Sequence, residues 1–260
     1  MGNKFELIAF DIDGTLTRSK SPLEDNPNVD TDMSDLLGEL LEKYKVAIIS
    51  GASLTQFKNQ ILAHLTQDGE KLKNLFLLPT NGSTLCVYEG SEWLCPAAEQ
   101  LTDDEKSQIY EAFDKMFAEV GFTIPAHVYG EVIEDRGSQI TFSAFGQMAP
   151  LEIKEAWDKD HHRREEMIMV LGKHLPDFAS HIGGATSIDV TRKWIDKAYG
   201  LHKLLKYLNI DAKNLLYIGD ELQPGGNDSP ALTVAGECRA VTGPEDTKQV
   251  INELLKESVV

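Results

Sequence analysis

The chain has few cysteines and no long hydrophobic segment, and each shortage excludes a class of protein. Its 260 residues contain three cysteines, which are too few and too scattered for a disulfide framework or a zinc site. We expect them to be buried, unpaired thiols in a reducing cytoplasm. Because no apolar run reaches the length that crosses a bilayer, we expect no membrane-spanning segment and no membrane partner.

Positive charge is also scarce. Acidic residues outnumber basic ones by 42 to 25, which gives a formal net charge of −17. Nucleic acids and anionic membrane surfaces require compensating basic residues, and no basic run is present, so these partners are excluded. The N-terminus lacks the basic and then apolar pattern of a secretion signal, so we expect a cytoplasmic protein. An anionic substrate needs a local cation to offset the negative field.

Near the N-terminus, an apolar run ends abruptly at two carboxylates. Leu7–Phe10 is typical of a buried strand in a parallel sheet, and Asp11 and Asp13 follow it directly. Residues at positions i and i+2 of a strand point to the same side, so we expect the two carboxylates to lie together. Two carboxylates this close repel unless a cation or a shared proton lies between them. In α/β folds, the residues just past a strand's carboxyl end carry the chemistry.

The order of strand and helix patterns predicts the fold. Strands and helices alternate before residue 84 and again from residue 190 onward, which is typical of a doubly wound parallel sheet. Between these segments, strands of alternating polarity and amphipathic helices indicate a separate α+β unit. We predict an α/β fold with a catalytic core formed by residues 1–83 and 190–260, and an inserted α+β cap domain formed by residues 84–189 that sets substrate specificity. The charged run from His161 to Glu166 is expected to be a solvated helix face.

Further polar residues follow other predicted core strands. Ser50, with Gly51 behind it, is placed to donate hydroxyl and backbone N–H bonds to a phosphoryl oxygen. Lys197 begins a predicted helix and is placed to hold Asp11 and phosphoryl oxygens as a point charge. We predict Ser50 and Lys197 as catalytic residues and Gly51 as a substrate-binding residue.

These residue types together suit phosphoryl transfer. Asp11 is the candidate nucleophile, which would form an aspartyl-phosphate and so divide one difficult displacement into two easier ones. Asp13 is the candidate general acid and base. Carboxylates beside a Gly- and Pro-rich loop are typical of a site for Mg²⁺, which prefers oxygen ligands. The predicted metal ligands are Asp11, Asp13, Asp220, Asn227 and Asp228.

The order of these motifs resembles a known superfamily. The chain resembles the haloacid dehalogenase (HAD) superfamily of phosphotransferases, because it has in this order an Asp-x-Asp-Gly-Thr motif, Ser-Gly, a lysine and a final Gly-Asp…Asn-Asp motif. The predicted cap lies between the second and third motifs, as in the type IIB branch of that superfamily. Within that branch the chain is similar to the eukaryotic-type phosphomannomutases. The shared segments include Asn81-Gly82, Arg136-Gly137, Ile182–Gly184, Ser187–Val190, Asp196-Lys197, Pro224–Asp228 and Pro244–Thr247.

The resemblance implies further roles. It makes Asp11 the nucleophile and Asp13 the acid and base, and it assigns Asp220 to Mg²⁺ beside Asp11 and the backbone carbonyl of Asp13. It also implies a sugar-phosphate site in the cap. The implied substrate-binding residues of the cap are Arg136, Ser187 and Asp189.

The chain departs from the family at several arginines that grip the substrate's distal phosphate. Ser143 stands where the second cap arginine is expected. At the position of the third cap arginine, the best candidate is a lysine, Lys154. Lys20 replaces the arginine expected after the first motif, where we assign it to substrate binding. Arginine binds phosphate bidentately, so serine or lysine weakens the grip and favours release of dephosphorylated sugar.

We therefore predict a Mg²⁺-dependent phosphatase that acts on a small sugar phosphate or a related metabolite through an aspartyl-phosphate. The alternative is a phosphomannomutase-type phosphosugar mutase that uses the same nucleophile. A non-catalytic phospho-aspartate signalling module is a third interpretation, but such a switch needs neither Asp13 nor a cap. The oligomeric state stays open between a monomer and a homodimer formed through the cap.

Overall fold

The computed structural model describes residues 4–18, 28–183 and 186–257. The chain divides into two compact units. The first unit is formed by Met1–Ser19, Glu24–Ala98 and Ile195–Val260, and the second mainly by Glu99–Trp194. None of the described helices combines the length and the apolar character that a bilayer crossing requires.

The two units contain the following regular elements. In chain order the described strands are β1 (Leu7–Phe10), β2 (Lys45–Ile49), β3 (Leu75–Leu78), β4 (Thr84–Glu89), β5 (Glu92–Ala98), β6 (Ile133–Asp135), β7 (Ile140–Ser143), β8 (Phe178–Gly183), β9 (Ser187–Arg192), β10 (Leu215–Gly219) and β11 (Glu237–Ala240). The described α-helices are α1 (Thr31–Leu40), α2 (Leu54–Phe57), α3 (Gly69–Leu72), α4 (Asp103–Val120), α5 (Leu151–Trp157), α6 (His162–His174), α7 (Lys197–Leu208) and α8 (Pro244–Glu257).

The first unit is built on a seven-stranded sheet with the order β11-β10-β1-β2-β3-β4-β5. The strands from β11 to β3 run parallel. All four residues of β1 are buried, because Ile8 and Phe10 pack into the core on one face while Leu7 and Ala9 pack into the core on the other. The chain leaves β1 toward β2 on one side and returns to its other side through β10. Such a switch point at the carboxyl edge of a parallel sheet is where ligands bind.

An antiparallel hairpin corrects the predicted boundaries. β4 pairs with β3, and β5 pairs with β4, so residues 84–98 extend the first sheet instead of beginning the cap. The predicted doubly wound parallel sheet therefore carries an antiparallel hairpin at one edge. The structure divides the chain after Ala98 and after Trp194, whereas the sequence analysis divided it after residues 83 and 189. The strand predicted at residues 84–88 and the tight turn after it belong to this edge hairpin of the first sheet.

The same hairpin corrects the prediction of unpaired thiols. Cys86 of β4 and Cys95 of β5 form a disulfide, with their Cα atoms 4.1 Å apart. The two residues are separated by nine positions in sequence, but antiparallel pairing brings them opposite each other across the strands. Cys238 is a free thiol.

Thiol titration of the denatured, unreduced protein is expected to give one thiol per chain, and three after reduction. Reduction is expected to lower the free energy of unfolding by about 2–3 kcal/mol, because it removes a cross-link from the unfolded chain. A Cys238→Ser variant is the control, since it should give no thiol before reduction. Three thiols in the unreduced wild type would contradict the disulfide.

The second unit has the α+β architecture predicted for the cap. Its four-stranded sheet has the order β6-β7-β9-β8, with antiparallel pairing throughout. Apolar side chains of α4 and α6 share a core with one face of β7 and β9. Because side chains alternate along a strand, Ile140 and Phe142 enter that core while Thr141 and Ser143 point to the opposite face.

One charged residue of the second unit contradicts the expected solvated helix face. Arg164 of α6 is 1 % exposed, whereas its neighbours in the run from His161 to Glu166 are exposed as predicted. Its Nε donates to Asp158 Oδ2 at 2.7 Å, and its Nη1 donates to the carbonyl oxygen of Gly183 at 3.2 Å. A cation is stable in this position because a buried carboxylate and a carbonyl satisfy it.

Candidate active site

Asp11 lies at the carboxyl end of the central strand β1. Its backbone N–H donates to the carbonyl oxygen of Ile218 in β10 at 3.1 Å, which continues the parallel pairing one residue beyond the strand. The side chain is 3 % exposed. Gly14 then turns the chain with a φ of +79°, and its N–H donates to the carbonyl oxygen of Thr17 at 2.9 Å. The positive φ is the reason a glycine stands at this turn.

Lys197 lies against Asp11 from the start of α7. The helix begins at an N-cap, Asp196, whose side chain accepts a hydrogen bond from the N–H of Tyr199 at 2.8 Å. Lys197 Nζ is 2.8 Å from Asp11 Oδ1 and 2.6 Å from Asp228 Oδ1, and the lysine is only 2 % exposed. The predicted pairing of this lysine with the first carboxylate is therefore present in the structure.

Burial and charge repulsion shift the titration of these groups. Burial raises the pKa of Asp11 to about 7, against the lowering effect of Lys197, and the charges of Asp228 and Asp13 raise it further. Burial and the charge of Asp228 raise the pKa of Asp220 to about 6. Burial alone would lower the pKa of Lys197, but the charges of Asp11 and Asp228 raise it instead. These carboxylates thus carry more negative charge than Lys197 offsets.

The donor atoms of this cluster fit a magnesium ion. Oxygens of Asp11, Asp220 and Asp228 all lie within 4.8 Å of one another, and carboxylate oxygens are the ligands Mg²⁺ prefers. Among the described residues, the buried Oδ1 of Asp13 has no hydrogen-bond partner. Asp220 Oδ1 accepts a long bond of 3.4 Å from the hydroxyl of Thr15. Carboxylate oxygens that are buried with so few donors suit a cation.

Two of the predicted metal ligands also contact the lysine. Asn227 Oδ1 accepts a hydrogen bond from Lys197 Nζ at 2.8 Å. Asp228 accepts from Lys197 Nζ, from the hydroxyl of Tyr217 and, at 2.9 Å, from the backbone N–H of Glu221. A carboxylate can accept about four hydrogen bonds, so Asp228 can support Lys197 and still belong to the carboxylate cluster that fits the ion, while Asn227 contacts the lysine.

Ser50 lies at the same edge of the sheet, just past β2. Parallel pairing sets Phe10 beside Ile48, so Ser50 and Asp11 both follow the ends of adjacent strands. Ser50 is 6 % exposed, and its Oγ accepts a bond from the N–H of Ala52 at 3.2 Å, so its proton can be donated elsewhere. Gly51 follows at the start of the loop, as predicted.

Tyr217 is a site residue that the sequence analysis missed. It is fully buried in β10, and its hydroxyl donates to Asp228 Oδ1. Burial, together with the charges of Asp228 and Asp11, raises the pKa of the phenol well above its ordinary value, so it stays a protonated donor. The sequence did contain a sign of this role, since Tyr217 is a hydroxyl-bearing residue inside an otherwise apolar strand. A buried phenol needs a hydrogen-bond partner, so a nearby acceptor could have been expected.

The predicted substrate residues of the cap lie in the second unit and are paired within it. Arg136 follows β6, and its Nη2 is 2.7 Å from Glu134 Oε2. Ser187 Oγ is 2.9 Å from Ser143 Oγ. Asp189 Oδ1 accepts a bond from the hydroxyl of Thr141 at 2.8 Å. Lys20 lies outside the described residues.

This fold and this arrangement of carboxylates and lysine define a phosphotransferase of the haloacid dehalogenase superfamily. Residues 33–257 match the sequence model of the eukaryotic phosphomannomutase family. The chain belongs to that family. The matched segment begins after Asp11 and Asp13 and contains Ser50, Lys197 and Asp220.

Solved structures with the same fold have low sequence identity. IMP-bound IMP-nucleotidase from Plasmodium falciparum, truncated at its N-terminus, is 18% identical with a TM-score of 0.67, covering 97% of this chain and 68% of that chain. A haloacid dehalogenase-like hydrolase from Bacteroides thetaiotaomicron is 16% identical with a TM-score of 0.66, covering 96% and 100%. A Streptococcus mutans protein is 15% identical with a TM-score of 0.61, covering 97% and 99%. A search of curated proteins found no match.

Proposed function

We propose that the protein is a Mg²⁺-dependent phosphatase that hydrolyses a small sugar phosphate through a phosphoaspartate on Asp11. The buried contact between Asp11 and Lys197, 2.8 Å apart, supports the nucleophile, because the lysine orients one carboxylate oxygen and leaves the other to attack. The observation that carries hydrolysis over isomerisation is the pairing of Ser143 with Ser187 at a position where an arginine is expected.

The reaction has two steps. Asp11 attacks phosphorus, the bond from phosphorus to the sugar oxygen breaks, and Asp13 gives its proton to the leaving sugar oxygen. Asp13, now a carboxylate, takes a proton from water, whose oxygen attacks phosphorus and breaks the bond to Asp11. The hydroxyl of Ser50 and the N–H of Gly51 donate to the phosphoryl oxygens, and Lys197 holds Asp11 in place.

Magnesium belongs to this proposal. Asp11 and Asp220 would hold the ion, and the backbone carbonyl of Asp13 is the further ligand that the resemblance implies. When bound, Mg²⁺ supplies positive charge that offsets the carboxylates and the phosphoryl oxygens. The raised pKa values of Asp11 and Asp220 agree with this assignment, since burial and the charges of neighbouring carboxylates disfavour the ionised carboxylates unless a cation lies beside them.

Three arginines of the second unit support hydrolysis. Nη2 of Arg136 pairs with Glu134 at 2.7 Å, and Nε of Arg164 pairs with Asp158 at 2.7 Å. Arg192 pairs with Glu105 at 2.6 Å. A guanidinium already bound to a carboxylate grips a phosphate less strongly, because the carboxylate must first be displaced. A bisphosphorylated sugar, which a mutase must retain between its two transfers, would then be held weakly.

A phosphomannomutase-type mutase is the second candidate. The family match over residues 33–257 favours it. It would use the same nucleophile, but a second sugar hydroxyl, instead of water, would accept the phosphoryl group from Asp11.

Incubation with mannose 1-phosphate, Mg²⁺ and a trace of hexose bisphosphate separates the two candidates. We expect inorganic phosphate to appear in equal amount to the sugar phosphate consumed. Mannose 6-phosphate without net phosphate release would contradict the phosphatase and establish the mutase. A single phosphorylation without turnover would indicate the signalling module. A panel of hexose, pentose and polyol phosphates, with EDTA as the metal-free control, then defines the substrate class.

A further inference from the structure

Tyr217 lies next to the proposed catalytic residues but has no part in the reaction steps above. It is the third residue of β10, beside Ala9 of β1 and Cys238 of β11. Its side chain is among the largest fully buried ones of the described chain. The hydroxyl donates to Asp228 Oδ1, the same oxygen that receives Lys197 Nζ at 2.6 Å.

We propose that the hydroxyl of Tyr217 is a positioning group, which fixes Asp228 so that Asp228 holds Lys197 against the nucleophile Asp11. The inference rests on the proposed function, in which Asp11 attacks phosphorus. It adds a residue that contacts neither substrate nor metal and acts through two others.

The contacts of Asp228 support this chain of action. The carboxylate is fully buried, and its Oδ2 accepts the N–H of Glu221 at 2.9 Å while its Oδ1 accepts from Tyr217 and Lys197. A Cβ atom at Gly219 would overlap Asp228 Oδ2, so the glycine leaves the space in which the carboxylate lies. The N–H of Glu221 holds one oxygen, and Tyr217 and Lys197 hold the other.

The lysine depends on that placement. Lys197 Nζ has two buried carboxylate partners, Asp11 at 2.8 Å and Asp228 at 2.6 Å. Without the phenol hydroxyl, Asp228 Oδ1 retains the Lys197 ammonium as its donor. The carboxylate can then rotate about the hydrogen bond that it accepts from the N–H of Glu221. The ammonium would follow Asp228, since charge-assisted hydrogen bonds are strong at short range in a buried site. The distance from Nζ to Asp11 would then vary, and catalysis is sensitive to such displacements.

The test compares two variants that each lose one phenolic hydroxyl. Tyr217→Phe keeps the ring and removes the proposed contact. Tyr44→Phe is the control, because Tyr44 is also buried in the first unit but donates to the backbone carbonyl of Leu254 at 3.3 Å. p-Nitrophenyl phosphate with Mg²⁺ is the probe substrate, and kcat is normalised to the folded fraction measured by circular dichroism.

We expect kcat of Tyr217→Phe to fall about tenfold with KM within about twofold of wild type, whereas Tyr44→Phe keeps both values. In an Asp228→Asn background, Tyr217→Phe should have no further effect on kcat, because the two residues act through one contact. Any of three results would overturn the positioning role of Tyr217. They are a kcat of Tyr217→Phe equal to that of Tyr44→Phe, an additive effect on kcat in the double variant, and failure of Tyr217→Phe to fold. Absence of phosphatase activity in the wild-type protein would instead overturn the proposed function.

Discussion

Replacing Asp11 with asparagine is expected to lower phosphate release by on the order of 10⁴-fold or more. The carboxylate is the proposed nucleophile, and an amide oxygen attacks phosphorus far more weakly. The fold should survive, since asparagine has nearly the same shape and leaves Lys197 its second partner, Asp228, at 2.6 Å. Burial raises the pKa of Asp11 to about 7, so the native state disfavours the ionised carboxylate. The neutral amide should therefore not lower the thermal midpoint at pH 7.5 in metal-free buffer.

Acid-quenched incubation with a ³²P-labelled sugar phosphate measures the covalent step. Wild type should retain a label that hydroxylamine removes, as expected for an acyl phosphate, and Asp11→Asn should retain none. Asp35→Asn is the matched control, because Asp35 is an exposed carboxylate of α1 in the same unit. Phosphate release by Asp11→Asn above about one per cent of wild type would exclude Asp11 as the nucleophile.

The central part of the site was predictable from local patterns. The apolar run Leu7–Phe10 is buried on both faces and ends at Asp11, and this arrangement requires only that the strand be central in a parallel sheet. The carboxyl ends of parallel strands meet at one edge, so Ser50 and Asp220 were expected near Asp11 without knowledge of any side-chain contact. Lys197 was expected there from the order of the motifs, and the structure pairs it with Asp11 at 2.8 Å.

The partners of each polar group were not predictable in the same way. Asn227 and Asp228 were predicted as metal ligands from loop composition, but composition does not fix which cation an oxygen faces. The packing of α7 against this loop brings Lys197 to both residues. The contact of Tyr217 with Asp228 likewise joins residues from a strand and a loop. Such contacts depend on rotamers and on the fit of several elements, which periodicity does not describe.

The hairpin of β4 and β5 shows a second limit. The strand predicted at residues 84–88 and the turn after it are present, but the local pattern did not say which sheet they join. Pairing of Phe76 with Val87 decides this, and it places the hairpin at the edge of the first sheet. The same long-range register brings Cys86 opposite Cys95. A local pattern identifies an element, whereas its neighbour depends on surfaces formed elsewhere in the chain.

Replacing Lys197 with methionine should cost both stability and activity. The variant would leave two carboxylates, Asp11 and Asp228, buried without their shared cation, and breaking a buried pair this way costs about 3–5 kcal/mol of unfolding free energy. Phosphate release should fall by about 10²–10³-fold, because Asp11 loses the charge that orients it and the phosphoryl oxygens lose a donor. Lys206→Met is the control, since Lys206 is exposed on the same helix and should change stability by less than about 0.5 kcal/mol.

The pH dependence distinguishes a lost ion pair from lost packing. Without Lys197, which acts to lower the pKa of Asp11, that pKa should rise above its wild-type value of about 7. Between about pH 5 and 8, Asp11 in the native variant therefore keeps its proton. In the unfolded chain the same carboxyl has an ordinary pKa and has already released it. Stability must therefore fall as the pH rises from about 5 to 8, and it should fall more steeply in Lys197→Met than in wild type. Urea unfolding in metal-free buffer at both pH values measures this difference. An equal loss of unfolding free energy at the two pH values would mean that the methionine merely packs poorly. A loss concentrated at pH 8 would show that the charge of Lys197 favours the ionised form of Asp11.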